Sequence, residues 1–152
     1  MAFQILVVCM GNICRSPTGE AVLRSKALQR GISLTVDSAG TIGYHQGSKP
    51  DRRSTEAGEA RGYHFDTIRS RKIKLEDFEQ FDLILAADNA NLADLKAICP
   101  NAYQSKVRLF LSYGNNNNAG EIPDPYYGGQ NGFEVVLDLI EDASDAVLDS
   151  IS

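Results

Sequence analysis

Residues 7–21 read VVCMGNICRSPTGEA, with Cys9 and Arg15 at the two ends of a loop that leaves an apolar run and enters a helical one. A thiol beside a helix N-terminus and a guanidinium is stabilised as the thiolate, because the positive helix end and the cation both favour the charged form. The intervening loop, residues Met10, Gly11, Asn12, Ile13 and Cys14 closed by Arg15 and Ser16, can turn its backbone N–H groups into an anion-binding nest, with Gly11 easing the dihedrals. The anion that best suits such a loop is phosphate. Arg15 offers a planar fork that matches two phosphate oxygens and can tighten as charge spreads during an in-line transfer. Ser16 either donates its hydroxyl to the thiolate or caps the helix. A Walker-type nucleotide loop must end in Gly-Lys-Ser/Thr, and the run Ile13-Cys14-Arg15-Ser16 does not. An isolated cysteine at a strand end is more often a small buried hydrophobe than a nucleophile, but the Cys-x5-Arg-Ser spacing at a strand-to-helix turn favours chemistry on the bound anion. For Cys14, packing and redox work both stay open.

Transfer of phosphate to a thiolate needs an acid to protonate the leaving oxygen and later a base to activate water. One carboxyl group can do both. Asp124 in IPDPYYGG is the best candidate, held between Pro123 and Pro125 after the last predicted strand. A turn aspartate between prolines is common, and the cysteine loop is what raises Asp124 above that reading. Tyr126 and Tyr127 follow directly and suit the walls of a slot for a flat aromatic group, with Tyr44 as the opposite wall.

These side chains need a scaffold. QILVVC (4–9) reads as a strand buried on both faces, and Ser16-Pro17 as a helix start, with Ser16 the N-cap and Gly31 the stop. Ile32, Leu34 and Val36 alternate with polar residues in a second strand over 32–40. Pro50 opens a second helix that Gly62 ends, 81–88 is a third buried strand, 89–99 a helix, and 106–113 a fourth strand. Phe133, Val136, Leu137, Ile140, Ala143, Val147 and Ile151 form one apolar stripe at helical period. Strands alternating with helices predict an α/β fold, a single-domain three-layer sandwich over 1–152, with a central four-stranded parallel sheet and helices on both faces. In such sheets ligands sit at the carboxyl ends of strands, which is where Cys9 falls.

The totals agree with one domain. The chain has 152 residues, 43% of them hydrophobic and 23% charged, enough for a packed core. A formal charge of −5 with no dense Lys/Arg run argues against a nucleic-acid surface. No apolar run approaches the length of a membrane span, and the start lacks the basic region of a signal peptide, so a cytoplasmic location is expected. Three cysteines fit free thiols in a reducing compartment better than a disulfide framework.

CMGNICRS, DSAGT, the PDRRS helix start, SRKI, DLILAAD and IPDPYYGG together resemble the low-molecular-weight protein tyrosine phosphatases, in order from about residue 5 to residue 150. The resemblance implies the phosphotyrosine protein phosphatase I-like fold, no cofactor and no metal. It implies Cys9 as nucleophile, Arg15 as phosphate binder and transition-state stabiliser, and Asp124 as acid and then base. Asn12, Ser16 and Ser38 match the polar network that supports the loop, and Tyr126 and Tyr127 match paired tyrosines that border the cleft and in some members are phosphorylated, which makes a tyrosine kinase a candidate partner. Cys14 matches a second cysteine that in some members forms a reversible disulfide with the nucleophile and protects it from overoxidation. The implied substrates are phosphotyrosine-containing proteins, with inorganic phosphate and other oxyanions as ligands. This chain departs from many members in carrying Ile68 for a histidine of the loop network and Tyr44 for a tryptophan, and from several in carrying Met10 for a leucine.

Other readings compete. Arsenate reductases of the same fold resemble CMGNICRS but add a pair of later cysteines; here only Cys99 remains, best read as buried filler. A non-catalytic thiol sensor or phosphate-binding module would need no proton donor, which leaves Asp124 and its tyrosines unexplained. Metal binding through cysteine, His45 and His64 fails on spacing, with His45 a loop residue and His64 a surface or helix-end one.

Overall fold

The structure is a computed structural model that describes residues 2–114, 120–125 and 131–152. Four strands, β1 (Phe3–Cys9), β2 (Leu34–Gly40), β3 (Leu83–Ala86) and β4 (Val107–Leu109), form one sheet in the order β2-β1-β3-β4. All three pairings are parallel. Around the sheet lie α1 (Arg15–Arg30), α2 (Arg52–Ala60), α3 (Leu75–Gln80), α4 (Asn89–Ile98) and α5 (Gly132–Ile151).

Strand β1 is central because its side chains are apolar on both faces, and the two-residue period divides them. Ile5, Val7 and Cys9 face one core with Leu83, Leu85, Val22 and Leu23 of α1, and Val136, Leu137, Ile140 and Val147 of α5. Leu6 and Val8 face a second core with Ile84, Ala86, Phe78, Phe81, Leu95 and Cys99. The expected three layers are therefore present, with α1 and α5 on one face and α3 and α4 on the other. The stripe predicted for α5 is buried from Phe133 to Val147, and Ile151 packs at its edge.

Several boundaries differ from expectation for local reasons. Helix α1 begins at Arg15 with Cys14 as N-cap, not at Pro17 with Ser16 as cap, because the Ser16 hydroxyl bonds to Cys9 and Asn12 instead. Pro17 still sits in the first turn, where a missing N–H costs nothing. Gly31 ends the helix in the left-handed region at φ 69°, as a C-terminal glycine should. Asp51, not Pro50, caps α2, accepting from the N–H groups of Arg53 at 2.8 Å and Ser54 at 3.3 Å. The third strand is shorter than expected: Phe81 closes α3, and Asp88 caps α4 by accepting from Asn91 N–H at 2.8 Å. The fourth keeps only three residues before the chain tightens into a 3-10 turn over Phe110–Tyr113. Helix α3 was not expected; its signal was Asp77, whose carboxylate accepts the Lys74 N–H at 2.8 Å, three residues ahead.

Candidate active site

The carboxyl ends of β1 and β3 and the N-terminus of α1 meet at one cleft of about 210 Å³, lined by Cys9, Met10, Gly11, Ile13, Cys14, Arg15, His45 and Asp124. Parallel strands put their carboxyl ends on one edge, so the loop leaving β1 and the segment carrying Asp124 converge there. Ile122 makes the second link: its N–H donates to the Ala87 carbonyl at 2.8 Å just past β3, which carries residues 122–125 to the cleft.

The loop is held from behind by its carbonyls. Met10 O accepts from Ile42 N–H at 3.1 Å, Gly11 O from the Ser70 hydroxyl at 3.1 Å, and Ile13 O from Asp51 N–H at 2.7 Å. In a trans peptide the following N–H points the opposite way, so the N–H groups of Gly11, Asn12 and Cys14 turn from those partners toward the cleft. The N–H groups of Gly11, Asn12 and Ile13 have no protein acceptor among the described residues. A row of unpaired donors at a helix N-terminus is what an oxyanion fills. Gly40 makes the close approach possible: a Cβ there would lie 2.6 Å from Met10 O.

Asn12 holds the turn. It is the one non-glycine with positive φ among the described residues, at 57°, and it is 1% exposed. Its amide donates to Ser16 Oγ at 2.7 Å and Ser38 Oγ at 2.9 Å, and its Oδ1 accepts from Arg71 N–H at 3.0 Å. Asn12 donates to the Ser16 oxygen, and the Ser16 hydroxyl lies 3.0 Å from Cys9 Sγ and 3.4 Å from Ala39 O, with Ser16 N–H also on the sulfur at 3.4 Å. The hydroxyl and the N–H of Ser16 thus both meet Cys9 Sγ. Ser38 passes the chain on, donating to Glu20 Oε1 at 2.7 Å, and Glu20 pairs with Arg24 on α1. Burial pushes the Glu20 carboxyl above its ordinary range, against the opposing pull of Ser38 and Arg24. Ile68, where many resembling sequences have a histidine, is 2% exposed and packs into the core, and the Arg71 N–H and Arg24 serve the polar chain instead.

Arg15 is buried and directed. Its Nη1 donates to Asp88 Oδ2 at 2.7 Å and to Ile122 O at 3.0 Å, leaving Nε and Nη2 for an anion. Burial works against its charge, but Cys9, Asp88 and Asp124 outweigh that and hold the guanidinium above its ordinary pKa. Cys14 lines the same cleft as Cys9, and both are free thiols.

Of the expected cleft walls, Tyr44 is displaced: it is 83% exposed, outside the cleft lining, and stands edge-on to His45 with ring centroids 4.9 Å apart. His45 takes the wall position, its ring against Gly11. A loop turning after Gly43 sends alternate residues to opposite sides, and the sequence carries no signal for which of the pair faces inward. Tyr126 and Tyr127 lie outside the described residues. Sequence reasoning also missed Asp88 and Glu20. An acid at the carboxyl end of a parallel strand was a usable signal for Asp88; nothing local marks Glu20.

A family model described as low molecular weight phosphotyrosine protein phosphatase matches residues 4–152. The low molecular weight phosphotyrosine protein phosphatase of Schizosaccharomyces pombe is 39% identical over 98% of this chain and 97% of its own. A protein tyrosine phosphatase from Entamoeba histolytica, crystallised as a product-state mimic, superposes with a TM-score of 0.94 at 38% identity, over 99% of this chain and 96% of that one. A Drosophila arginine phosphatase superposes at 0.90 with 31% identity, over 97% of both chains. With the cysteine loop, its buried support and the parallel sheet already in place, these matches assign the chain to the low molecular weight phosphotyrosine protein phosphatase family.

Proposed function

We propose that this protein hydrolyses phosphotyrosine in proteins through a phosphocysteine intermediate, with Cys9, Arg15 and Asp124 as catalytic residues. The observation that carries the proposal is the meeting of the Ser16 hydroxyl and N–H at Cys9 Sγ beneath a row of unpaired loop N–H groups. The phosphate of the substrate takes the N–H groups of the loop and the free edge of Arg15. Cys9 Sγ attacks phosphorus in line, the S–P bond forms as the P–O bond to the aryl group breaks, and Asp124 gives its proton to the leaving oxygen. Asp124, now a carboxylate, takes a proton from water; the water oxygen attacks phosphorus, the S–P bond breaks, and inorganic phosphate and the thiolate are released. Arg15 and the loop donors act on charge that spreads over the equatorial oxygens, where a buried site makes them effective.

The shared lining of Cys9 and Cys14 supports a reversible disulfide that shields the nucleophile, and free cysteines support a reducing, cytoplasmic setting. No helix among the described residues is long and apolar enough to cross a membrane. Tyr126 and Tyr127 as targets of a tyrosine kinase rest on the family resemblance alone.

The test is hydrolysis of p-nitrophenyl phosphate with EDTA present, followed by phosphotyrosine and phosphoarginine peptides of one sequence. Wild-type turnover, abolished in Cys9→Ser with vanadate binding retained, and preference for phosphotyrosine support the proposal. Preference for phosphoarginine would move the substrate to that of the Drosophila neighbour, and no turnover by the reduced protein would refute the proposal.

A further inference from the structure

Asp124 stands on a short bridge between two fixed points. On one side Ile122, 1% exposed, donates its N–H to Ala87 O at 2.8 Å and its carbonyl accepts from Arg15 Nη1 at 3.0 Å. On the other side the buried Pro125 lies against Gly132, the first residue of α5. A Cβ on Gly132 would stand 2.7 Å from Pro125 O and 3.4 Å from Pro125 Cα, both backbone. The helix itself does not ask for glycine there: Gly132 is not among the glycines with positive φ, and alanine is the better helix former. Helix α5 is firmly held. Phe133, Val136, Leu137 and Ile140 are buried, and the Arg53 guanidinium of α2 lies 4.9 Å from the centroid of the Phe133 ring. Arg61, the C-cap of α2, donates to Glu134 at 2.7 Å, Asp138 at 2.9 Å and Glu141 at 2.6 Å. The other end of α2 serves the nucleophile, since Asp51 N–H is the donor to Ile13 O. Helix α2 therefore braces both halves of the cleft, the Cys9 loop directly and the Asp124 segment through α5.

We propose that Gly132 is a positioning residue for the acid: the bare first turn of α5, braced on α2, lets Pro125 come in close and so sets where the Asp124 carboxyl stands at the cleft, an inference that rests on the reading of Asp124 as proton donor. Proton transfer needs that carboxyl within hydrogen-bond reach of the leaving oxygen. A misplacement of roughly 1 Å, caused by a residue that touches no substrate, can cost about a hundredfold in rate. Alanine at position 132 forces a shift of that kind, because a methyl 2.7 Å from a carbonyl oxygen must open to an ordinary contact. Since α5 is pinned, the bridge is what moves. Pro123 and Pro125 each fix φ at about −65°, which leaves the bridge few torsions to absorb the push before it reaches Asp124. The three atoms nearest the added methyl all belong to Pro125, so the Cys9 loop is not touched.

The experiment measures kcat/KM on phenyl, p-nitrophenyl and dinitrophenyl phosphate, in falling order of need for the proton, for wild type, Gly132→Ala, Asp124→Ala and the double variant G132A/D124A. Inhibition by inorganic phosphate reads the state of the Cys9 loop. Gly132→Ala should lose about tenfold on phenyl phosphate, part of what a positioned acid supplies, with the loss shrinking along the series and inhibition by phosphate unchanged. In the Asp124→Ala background the same substitution should cost nothing further, because the group it displaces is gone. A change that merely loosened the fold would slow all three substrates alike, weaken inhibition by phosphate and do so in both backgrounds. That result overturns the inference, as do wild-type rates throughout in Gly132→Ala. If Gly132→Ala does not fold, Arg61→Gln decides, since it releases α5 from α2 at the surface. A loss of about threefold on phenyl phosphate that fades along the series, the modest size expected of surface ion pairs, supports the inference, and a flat response overturns it. Asp124→Ala slowed equally on all three substrates refutes the acid and this inference with it, and a wild type that hydrolyses none of them refutes the phosphatase reading itself.

Discussion

Replacing Asn12 by alanine and by glycine separates what its side chain does from what its backbone does. Asn12→Ala removes three hydrogen bonds, two of them buried, to Ser16, Ser38 and the Arg71 N–H, at about 1 kcal/mol each. It also puts a methyl-bearing residue at φ 57°, for about 1 kcal/mol more. The sum, about 4 kcal/mol, is a large share of the roughly 5–15 kcal/mol that holds a typical domain folded. Asn12→Gly loses the same bonds but is at ease in the left-handed region, so it should lose only about 3 kcal/mol. Urea unfolding should therefore rank wild type above Asn12→Gly, and Asn12→Ala below both. Activity should fall in both variants. Without the Asn12 donor the Ser16 hydroxyl is free to turn from Cys9 toward Ala39 O, 3.4 Å away, and kcat on p-nitrophenyl phosphate should drop by about tenfold or more, as loss of a positioned donor does. An Asn12→Ala protein within about 1 kcal/mol of wild type that kept its kcat would refute the reasoning, since that is no more than one ordinary hydrogen bond.

Asp124→Ala should slow aryl phosphates with poor leaving groups far more than those with good ones, because only the former need the proton; equal slowing across a leaving-group series would remove Asp124 as the acid. Gly40→Ala would bring a methyl 2.6 Å from Met10 O and 3.0 Å from Ile42 O, both backbone, and should cost about 1–3 kcal/mol in thermal unfolding together with a loss of kcat. A neutral Gly40→Ala would show that the loop can shift without consequence. For Glu20, whose carboxyl burial raises, the folded state holds the proton more tightly than the unfolded chain. Its contribution to stability is then greatest below the unfolded value of about 4.3 and is lost as pH rises through the folded one. The stability difference between Glu20→Gln and wild type should move toward the variant across that window in urea titrations, and a difference flat with pH would contradict the assignment.

The layers of the fold could be read from the sequence because each rests on a short-range pattern. β1 is apolar at every position from Ile5 to Val8, and α5 carries its core residues on one stripe. The ends of elements were harder, because side chains there had a choice of partner. Ser16 is a good N-cap by type, but Cys14 stands at that position and the Ser16 hydroxyl goes to Cys9, seven residues earlier, which only the folded loop brings to 3.0 Å. The loop and Asp124 were legible from spacing and from the strand-end rule. The support behind them was not: Asn12 meets Ser38 across 26 positions and Arg71 across 59, and such pairings follow from the sheet order and not from any local motif. His45 and Tyr44 show the same limit at its smallest scale, since one residue of register decides which ring faces the cleft.

The central claim is that phosphate passes through the Cys9 sulfur. Acid quenching during turnover of p-nitrophenyl phosphate, with EDTA present, followed by peptide mapping by mass spectrometry, tests it directly. Phosphate should appear on the peptide that contains Cys9, should accumulate when Asp124→Ala slows the attack of water, and should be absent from Cys9→Ser. Steady turnover with no phosphate on Cys9 at any quench time, or a Cys9→Ser protein that still turns over, would contradict the account.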